Sequence, residues 1–435
     1  MFCRYLLFVA SLASCSSILQ AQVRDLRTVG GTVQYIIPEA TDVTIELCDA
    51  SGKFVAVLFA GSQSPGQYRF SLSDVRATQR VPAGQFTLSL KAGTTTLVDR
   101  SFGENGHVQL GNPCDVETVP DGGLFVLERK RVSSGKAGVL KLTADGRPGS
   151  GFGPDGDFVE LPVAGDWLAI DNNGSLCVPC VGNIVQVLDR TGKPIHNIHT
   201  SAPTGGAIGP DGKLYLRTGY GKGLQVFDAK KPGSASPLLD WENLKDGPVL
   251  FRFAPILGLY AGPSMATGMG GKLYLTEGQD PGSSRGTIVR LQQVGDRIER
   301  RYFYQRCCKD CIGLALDDRG MIYVTERGTC STDRDDRIWQ REGRGGITPS
   351  TLYLLWDNDE QFNFLTKWEF PELKGLRDVA VAPDGSSVYL LEDADNFAIF
   401  HGEMKSPTRD LQGLGRLWKY KLSYRQTLTI PVEVK

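Results

Sequence analysis

The chain has little histidine, four residues in 435, and these do not converge. His196 and His199 share one predicted outer strand, His107 lies in a polar connector and His401 in a long loop, which leaves no basis for a metal centre built on imidazoles. Charge of one sign is not in excess either, with 48 Lys and Arg against 49 Asp and Glu and a net charge of -1. No basic run carries interleaved aromatics, so a nucleic-acid groove is excluded and nucleic acid is not an expected partner. Long apolar runs are missing beyond the N-terminus. The longest, Phe253 to Ala261, is broken by Pro255 and Gly258 and is too short for a membrane helix. Neither Cys-x-x-Cys unit is followed by His, which excludes covalent haem attachment.

What is present begins with an export layout. Arg4 precedes the apolar stretch Tyr5 to Ala13 and then small residues, so residues 1–21 read as a signal peptide cleaved after Ala21. Leu12-Ala13-Ser14-Cys15 alternatively fits a lipobox, with Cys15 as the lipidated residue. Either way the expected location is outside the cytoplasm, secreted or in the cell envelope or periplasm, and lipid-anchored in the second case. No transmembrane segment is expected beyond the signal. The 52 glycines and 41% hydrophobic content suit a large β-rich domain plus a small one, with glycine serving turns.

The strongest signal is a pattern that recurs six times: an apolar run, a Gly-centred turn, and an apolar or aromatic run ending in a polar residue. The copies are Cys114 to Glu128, Asp166 to Cys180, Gly205 to Thr218, Ser264 to Glu277, Ile312 to Glu326 and Arg377 to Glu392. A further strand and turn follows several of them, as in Val139 to Gly146 and Val185 to Gly192. Repeats of this kind bury their apolar faces on one another. Four antiparallel strands per repeat predict an all-β fold, a six-bladed β-propeller over residues 112–435. The pattern resembles the NHL repeat family, in which an apolar run, an Asp-Gly turn and an LYV-type strand precede a V-x-x-F-D-x-x-G strand. That resemblance implies a propeller and does not imply an activity.

Residues 29–102 differ in texture. Segments such as VQYII, DVTIELC, FVAVLFA, QYRFSL, QFTLSL and TTLVDRS alternate apolar and polar residues, which predicts six short strands in a β-sandwich. The succession Asp49-Ala50-Ser51-Gly52-Lys53, Ser64-Pro65-Gly66-Gln67-Tyr68 and Val81-Pro82-Ala83-Gly84-Gln85-Phe86 resembles the immunoglobulin-like domain of flagellar hook capping proteins. It lacks the Trp of that family, offering Phe70 and Leu72. The resemblance implies a spacer or assembly module, and residues 103–111 read as the linker.

Antiparallel order places the tight turns between first and second strands on one face of the propeller, and the long connections on the other. These connections, Arg129 to Lys136, Gly278 to Gly286, Arg327 to Ile347 and Asp393 to Gly415, define a loop-rich face where binding is expected. Four second strands end in a carboxylate, Glu128, Glu277, Glu326 and Glu392, with Asp393 and Asp395 just beyond the last. Pointing inward, they would ring the channel mouth as a binding site for a divalent cation such as Ca²⁺. The alternative is that each accepts backbone N–H groups of its own loop, with Arg129 and Arg327 in local ion pairs. Cys177, Cys180, Cys307, Cys308, Cys311 and Cys330 are disulfide candidates in an exported chain, most directly Cys330 with one of Cys307, Cys308 or Cys311. Metal binding by the Cys-x-x-Cys units, or free thiols, are the alternatives.

Three functional readings follow. The first is an exported binding protein that takes a protein or carbohydrate on the loop-rich face and needs no cofactor. The second is a metal-dependent propeller enzyme, a lactonase, hydrolase or sugar dehydrogenase, working through the carboxylate ring. The third is an envelope protein attached through its sandwich.

Overall fold

In the computed structural model, residues 23–74, 81–163, 165–180, 183–200, 203–218, 223–231, 239–240, 264–268, 271–277, 287–294, 297–303, 311–326, 349–373, 375–392 and 415–435 are described. The chain divides into two compact units, one holding residues up to Thr95 together with Tyr424–Lys435, the other Thr96–Ser423.

The first unit contains β1 (Arg24–Val29), β2 (Thr32–Ile37), β3 (Thr41–Cys48), β4 (Phe54–Gln63), β5 (Gly66–Ser71) and β6 (Gly84–Val98). Alternation in β2 buries Val33, Tyr35 and Ile37 and leaves Thr32, Gln34 and Ile36 half-exposed, as a strand with one covered face requires. β1, β2 and β5 form one sheet, and β4, β3 and β6 lie in order in another. Residues from both sheets, among them Val33, Ile37, Ile45, Leu47, Leu88 and Leu90, share one apolar core. Two sheets over one core make a sandwich. QFTLSL and TTLVDRS, expected as separate strands, run together as β6, which continues through Lys91 to Thr94 with Gly93 at a φ of 67°.

The second unit is a succession of small antiparallel sheets. After β7 (His107–Leu110), the first is β8 (Asn112–Thr118), β9 (Leu124–Lys130), β10 (Gly138–Leu142) and β11 (Phe158–Glu160). The second is β12 (Ala169–Ile170), β13 (Leu176–Cys180), β14 (Ile184–Leu188) and β15 (Pro194–His199). The third is β16 (Gly205–Ile208), β17 (Lys213–Thr218), β18 (Gly223–Asp228) and β19 (Leu239–Asp240). The fourth is β20 (Met265–Gly268), β21 (Lys272–Glu277), β22 (Thr287–Val294) and β23 (Arg297–Phe303). The fifth is β24 (Cys311–Leu316), β25 (Met321–Glu326), β26 (Ser350–Asp357) and β27 (Phe362–Phe370). The last consists of β28 (Leu376–Val381), β29 (Ser387–Glu392) and β30 (Gly415–Val434). This is β-propeller architecture, each repeat supplying the first two strands of a sheet.

The repeat glycines have a mechanical reason. Gly122, Gly174, Gly212, Gly271, Gly320 and Gly385 all carry positive φ, between 67° and 84°, at the turn from first to second strand. A side chain there is strained, so glycine recurs. The preceding aspartate completes the turn. Asp171 Oδ1, for example, accepts from the Asn173 and Ser175 N–H groups at 2.8 and 2.7 Å, and Asp317 Oδ1 accepts from Arg319 and Met321 at 2.9 and 3.0 Å.

The cores of this unit lie between neighbouring sheets. Leu127, Val139 and Phe152 of the first sheet meet Leu176, Val178 and Leu188 of the second, and Val226 of the third meets Leu273 and Val289 of the fourth. Successive first strands, β12, β16, β20, β24, β28 and β8, contact one another in that order.

Two boundaries differ from the sequence expectation. Residues 103–111 are not a free linker: β7 pairs with β30, His107 opposite Trp418 and Leu110 opposite Gly415, and so adds the fourth strand to the last sheet. Leu110 is buried with Val116, Tyr389 and Leu417, which fixes this clasp by packing as well as by hydrogen bonds. The propeller also does not extend to Lys435. Residues 424–435 belong to the first unit, where Val432 and Val434 enter the sandwich core.

Candidate functional site

The described second-strand carboxylates, Glu128, Glu326 and Glu392, are each engaged with their own surroundings. Glu128 is 1% exposed and accepts the Gly111 N–H on Oε1 at 2.8 Å, while Oε2 has no hydrogen-bond partner. Burial pushes its pKa up to about 7, against the opposing pull of the Gly111 bond and Arg131. Glu326 accepts the Tyr353 hydroxyl from the adjacent strand β26. Glu392 is fully buried and takes Arg416 Nη2 at 3.0 Å, Arg416 Nε at 2.9 Å and the Trp418 indole N–H at 3.1 Å, all from β30. Each of these carboxylates is therefore bound within the propeller framework, one strand out from the axis, rather than held toward a common centre. Among the described residues no group of three or more His, Cys, Asp or Glu could hold a metal ion. Glu277 ends β21, but its side chain, like Asp393 and Asp395, lies outside the described residues. Arg129 does not pair locally with Glu128; it reaches Asp166 of the next sheet.

Cys177 and Cys180 are both free thiols, although they were candidates for a bridge. Residues three apart on a strand face opposite sides. Cys177 accordingly packs between the second and third sheets and Cys180 against the core between the first and second. Burial pushes the Cys177 thiol up to about 12 and raises Cys180 as well. Cys48 and Cys114 are not disulfide-bonded, whereas Cys311 is. Cys307, Cys308 and Cys330 lie outside the described residues.

The chemistry that the structure does bring together is on the first strands. A channel runs along them, and its loop-side half is lined by Cys114, Asp115, Glu117, Asp166, Arg377 and Asp378 together with residues from the other sheets such as Ser264 and Ile312. At this end Arg377 donates from Nε to the Cys114 carbonyl at 2.7 Å and stands 3.7 Å from Asp166, which also holds Arg129. Below them Asp115 Oδ2 accepts the Leu168 N–H at 2.6 Å, and Asp378 Oδ2 accepts the Val116 N–H at 3.1 Å. These bonds tie the second sheet to the first and the first to the last. Asp378 is 6% exposed, and its carboxyl is hydrogen-bonded to that of Asp115.

The pKa values of Asp115, Glu117 and Asp378 are raised. Burial is the main cause at each, and Asp378 adds its charge against both Asp115 and Glu117; Glu117 is pushed up to about 8. Asp115 and Glu117 keep some exposed surface, but only onto the narrow channel, so little water reaches them. The turn-side half of the channel is a cavity of about 180 Å³, with Glu117 at its neck and Ala169, Ala207, Ala266 and Ala315 among its walls.

The sequence contained a sign of this site. Counting back five residues from each turn glycine gives Ala169, Ala207, Ala266, Ala315 and Ala380 in five repeats, and Glu117 in the remaining one. Seven residues back, Asp occurs twice, at Asp115 and Asp378.

No family model matches the chain, and no curated protein matches it. Among solved structures it is similar to U3-55K, at 9% identity over 72% of this chain and 98% of that one, with a TM-score of 0.44. It is also similar to the RRP9 WD40 repeats, at 8% identity over 73% and 98%, with a TM-score of 0.47. A protein of unknown function from Bacteroides caccae gives 13% identity over 58% and 81%, with a TM-score of 0.37.

Proposed function

We propose that the chain is an exported recognition protein, a six-bladed NHL-like propeller closed by β7, that binds a protein or carbohydrate on its loop-rich face. In this reading an immunoglobulin-like sandwich serves as spacer. The observation that carries it is the fate of the carboxylates. Glu128, Glu326 and Glu392, which a metal-dependent enzyme of the ring type would need, are engaged within the framework. The loop-side end of the channel instead presents Arg129, Asp166 and Arg377 as a linked set of charges suited to recognition. Disulfides in the loop-rich face belong to the same reading: Cys311 is absent from the free thiols, and Cys307, Cys308 and Cys330 are its candidate partners. Export through the signal, with Cys15 as the lipidation residue in the anchored form, completes it.

The test is binding of the full-length protein to arrays of peptides and glycans, beside turnover assays on lactones and sugars with and without Ca²⁺. Retention of a peptide or glycan that is lost on Asp166→Ala, with no turnover, is the expected result. Ca²⁺-dependent turnover that falls in Glu326→Gln and Glu392→Gln, with nothing retained on the arrays, overturns it in favour of the enzyme.

A further inference from the structure

We infer that the turn-side half of the propeller channel is a binding site for a small molecule carrying a primary ammonium group, which Glu117 receives at the neck of the cavity. This goes beyond the recognition proposed for the opposite face and does not depend on it.

Space comes first. Five of the six repeats place alanine where Glu117 stands in the first, and four of those alanines wall the cavity of about 180 Å³. At about 30 Å³ per water molecule, that is room for several waters or a compact organic ligand. Any longer side chain at these positions would fill it.

Charge comes second. No hydrogen bond within the described residues engages the Glu117 carboxylate, unlike Glu326 and Glu392, and it lines both halves of the channel. Asp378, which lines the loop-side half, is engaged with the Asp115 carboxyl and so leaves Glu117 as the carboxylate of the turn-side half. The other charged or titratable groups lining it are Cys114, Asp115, Asp166 and Arg377, and Arg377 is held at the loop-side end by the Cys114 carbonyl. The turn-side half is thus left with negative charge and acceptors in excess.

The kind of cation comes third. The described carboxylates are not gathered into a metal cage. A primary ammonium needs none, because its three N–H donors can be divided between one carboxylate and neutral oxygens. The cavity supplies a carboxylate, the Asn172 amide and strand backbone.

The experiment is calorimetry of the full-length protein with 1,4-diaminobutane and with 1,4-butanediol, its uncharged counterpart of similar length. The diamine is expected to bind and the diol not. Binding should weaken by at least about tenfold in Glu117→Gln and in the cavity-filling Ala266→Leu, which approaches the same space from another sheet. Because the carboxylate must be ionised, affinity should rise about tenfold per pH unit up to about pH 8 and then level off. Thermal melts of both variants identify loss of fold, and if one does not fold the other decides. Equal binding of diamine and diol, or an unchanged affinity in a folded Glu117→Gln or Ala266→Leu protein, overturns the inference. So does Ca²⁺ binding that depends on Glu117 when the diamine does not bind.

Discussion

At the scale of residues, burial sets the most testable properties. Glu128 is protonated more readily in the folded protein, its pKa rising from 4.5 to about 7, than in the unfolded chain. The folded state therefore holds the extra proton between those values, and stability falls as pH rises through that window. At 1.36 kcal/mol per unit, the loss at pH 8 relative to pH 4 is roughly 3 kcal/mol as an upper bound. Glu128→Gln keeps an oxygen for the Gly111 N–H and should remove this slope, checked by urea midpoints of both proteins from pH 4.5 to 8. A second residue-scale prediction concerns Arg290, 2% exposed and bound to the buried Asp357. Arg290→Met leaves that carboxylate beside Tyr274 without its main counter-charge and should cost about 3–5 kcal/mol. Adding Asp357→Leu should restore much of the loss, which urea denaturation of the single and double variants measures. Thiol chemistry offers a third check: Cys177, wholly buried, should resist alkylation in the native protein and react once urea is added.

At the scale of elements, the turns and the clasp carry the predictions. A Cβ at Gly385 would lie 1.9 Å from Arg319 Nη2 and 2.4 Å from Asp317 Oδ2, at a φ of 67°. Gly385→Ala should therefore cost more than the roughly 1 kcal/mol of an ordinary left-handed glycine, visible as a lowered melting temperature. Leu110 on β7 is 2% exposed, so Leu110→Ala should lose about 2–5 kcal/mol and loosen the last sheet, seen as faster amide exchange in β30. Repeats and turns were legible in the sequence because each copy carries the same local demands, an Asp-Gly turn and paired apolar strands. β7 is not dictated locally in this way: Val108 to Leu110 read only as a segment that could join a sheet, because His107–Leu110 gain their role from a partner more than three hundred residues away. The carboxylates misled for a related reason. Glu128, Glu326 and Glu392 recur at one repeat position, but their direction is fixed by neighbours such as Arg416 and Tyr353, which no repeat pattern displays. Glu117 was visible as a departure from alanine, yet it acquires meaning only when four of those alanines are known to face the same channel.

At the scale of the whole molecule, the chain leaves the sandwich after Thr95 and returns to it at Tyr424. The propeller is thus an insertion between the two stretches of the sandwich. During synthesis the first unit has most of its strands early, but Val432 and Val434 reach its core only once residues 424–435 are made. Until then the gap between its two parts is an open loop of residues 96–423, whose closure is unfavourable while that stretch is unfolded. Folding of the propeller draws the ends of the stretch together and makes the final docking nearly local. The sandwich should therefore complete last, and a chain shortened by its final twelve residues should retain a protected propeller beside a sandwich that exchanges its amides freely. A protein organised in this way couples its two units in time: the sandwich becomes fully ordered only after the propeller between its two parts has been made and folded.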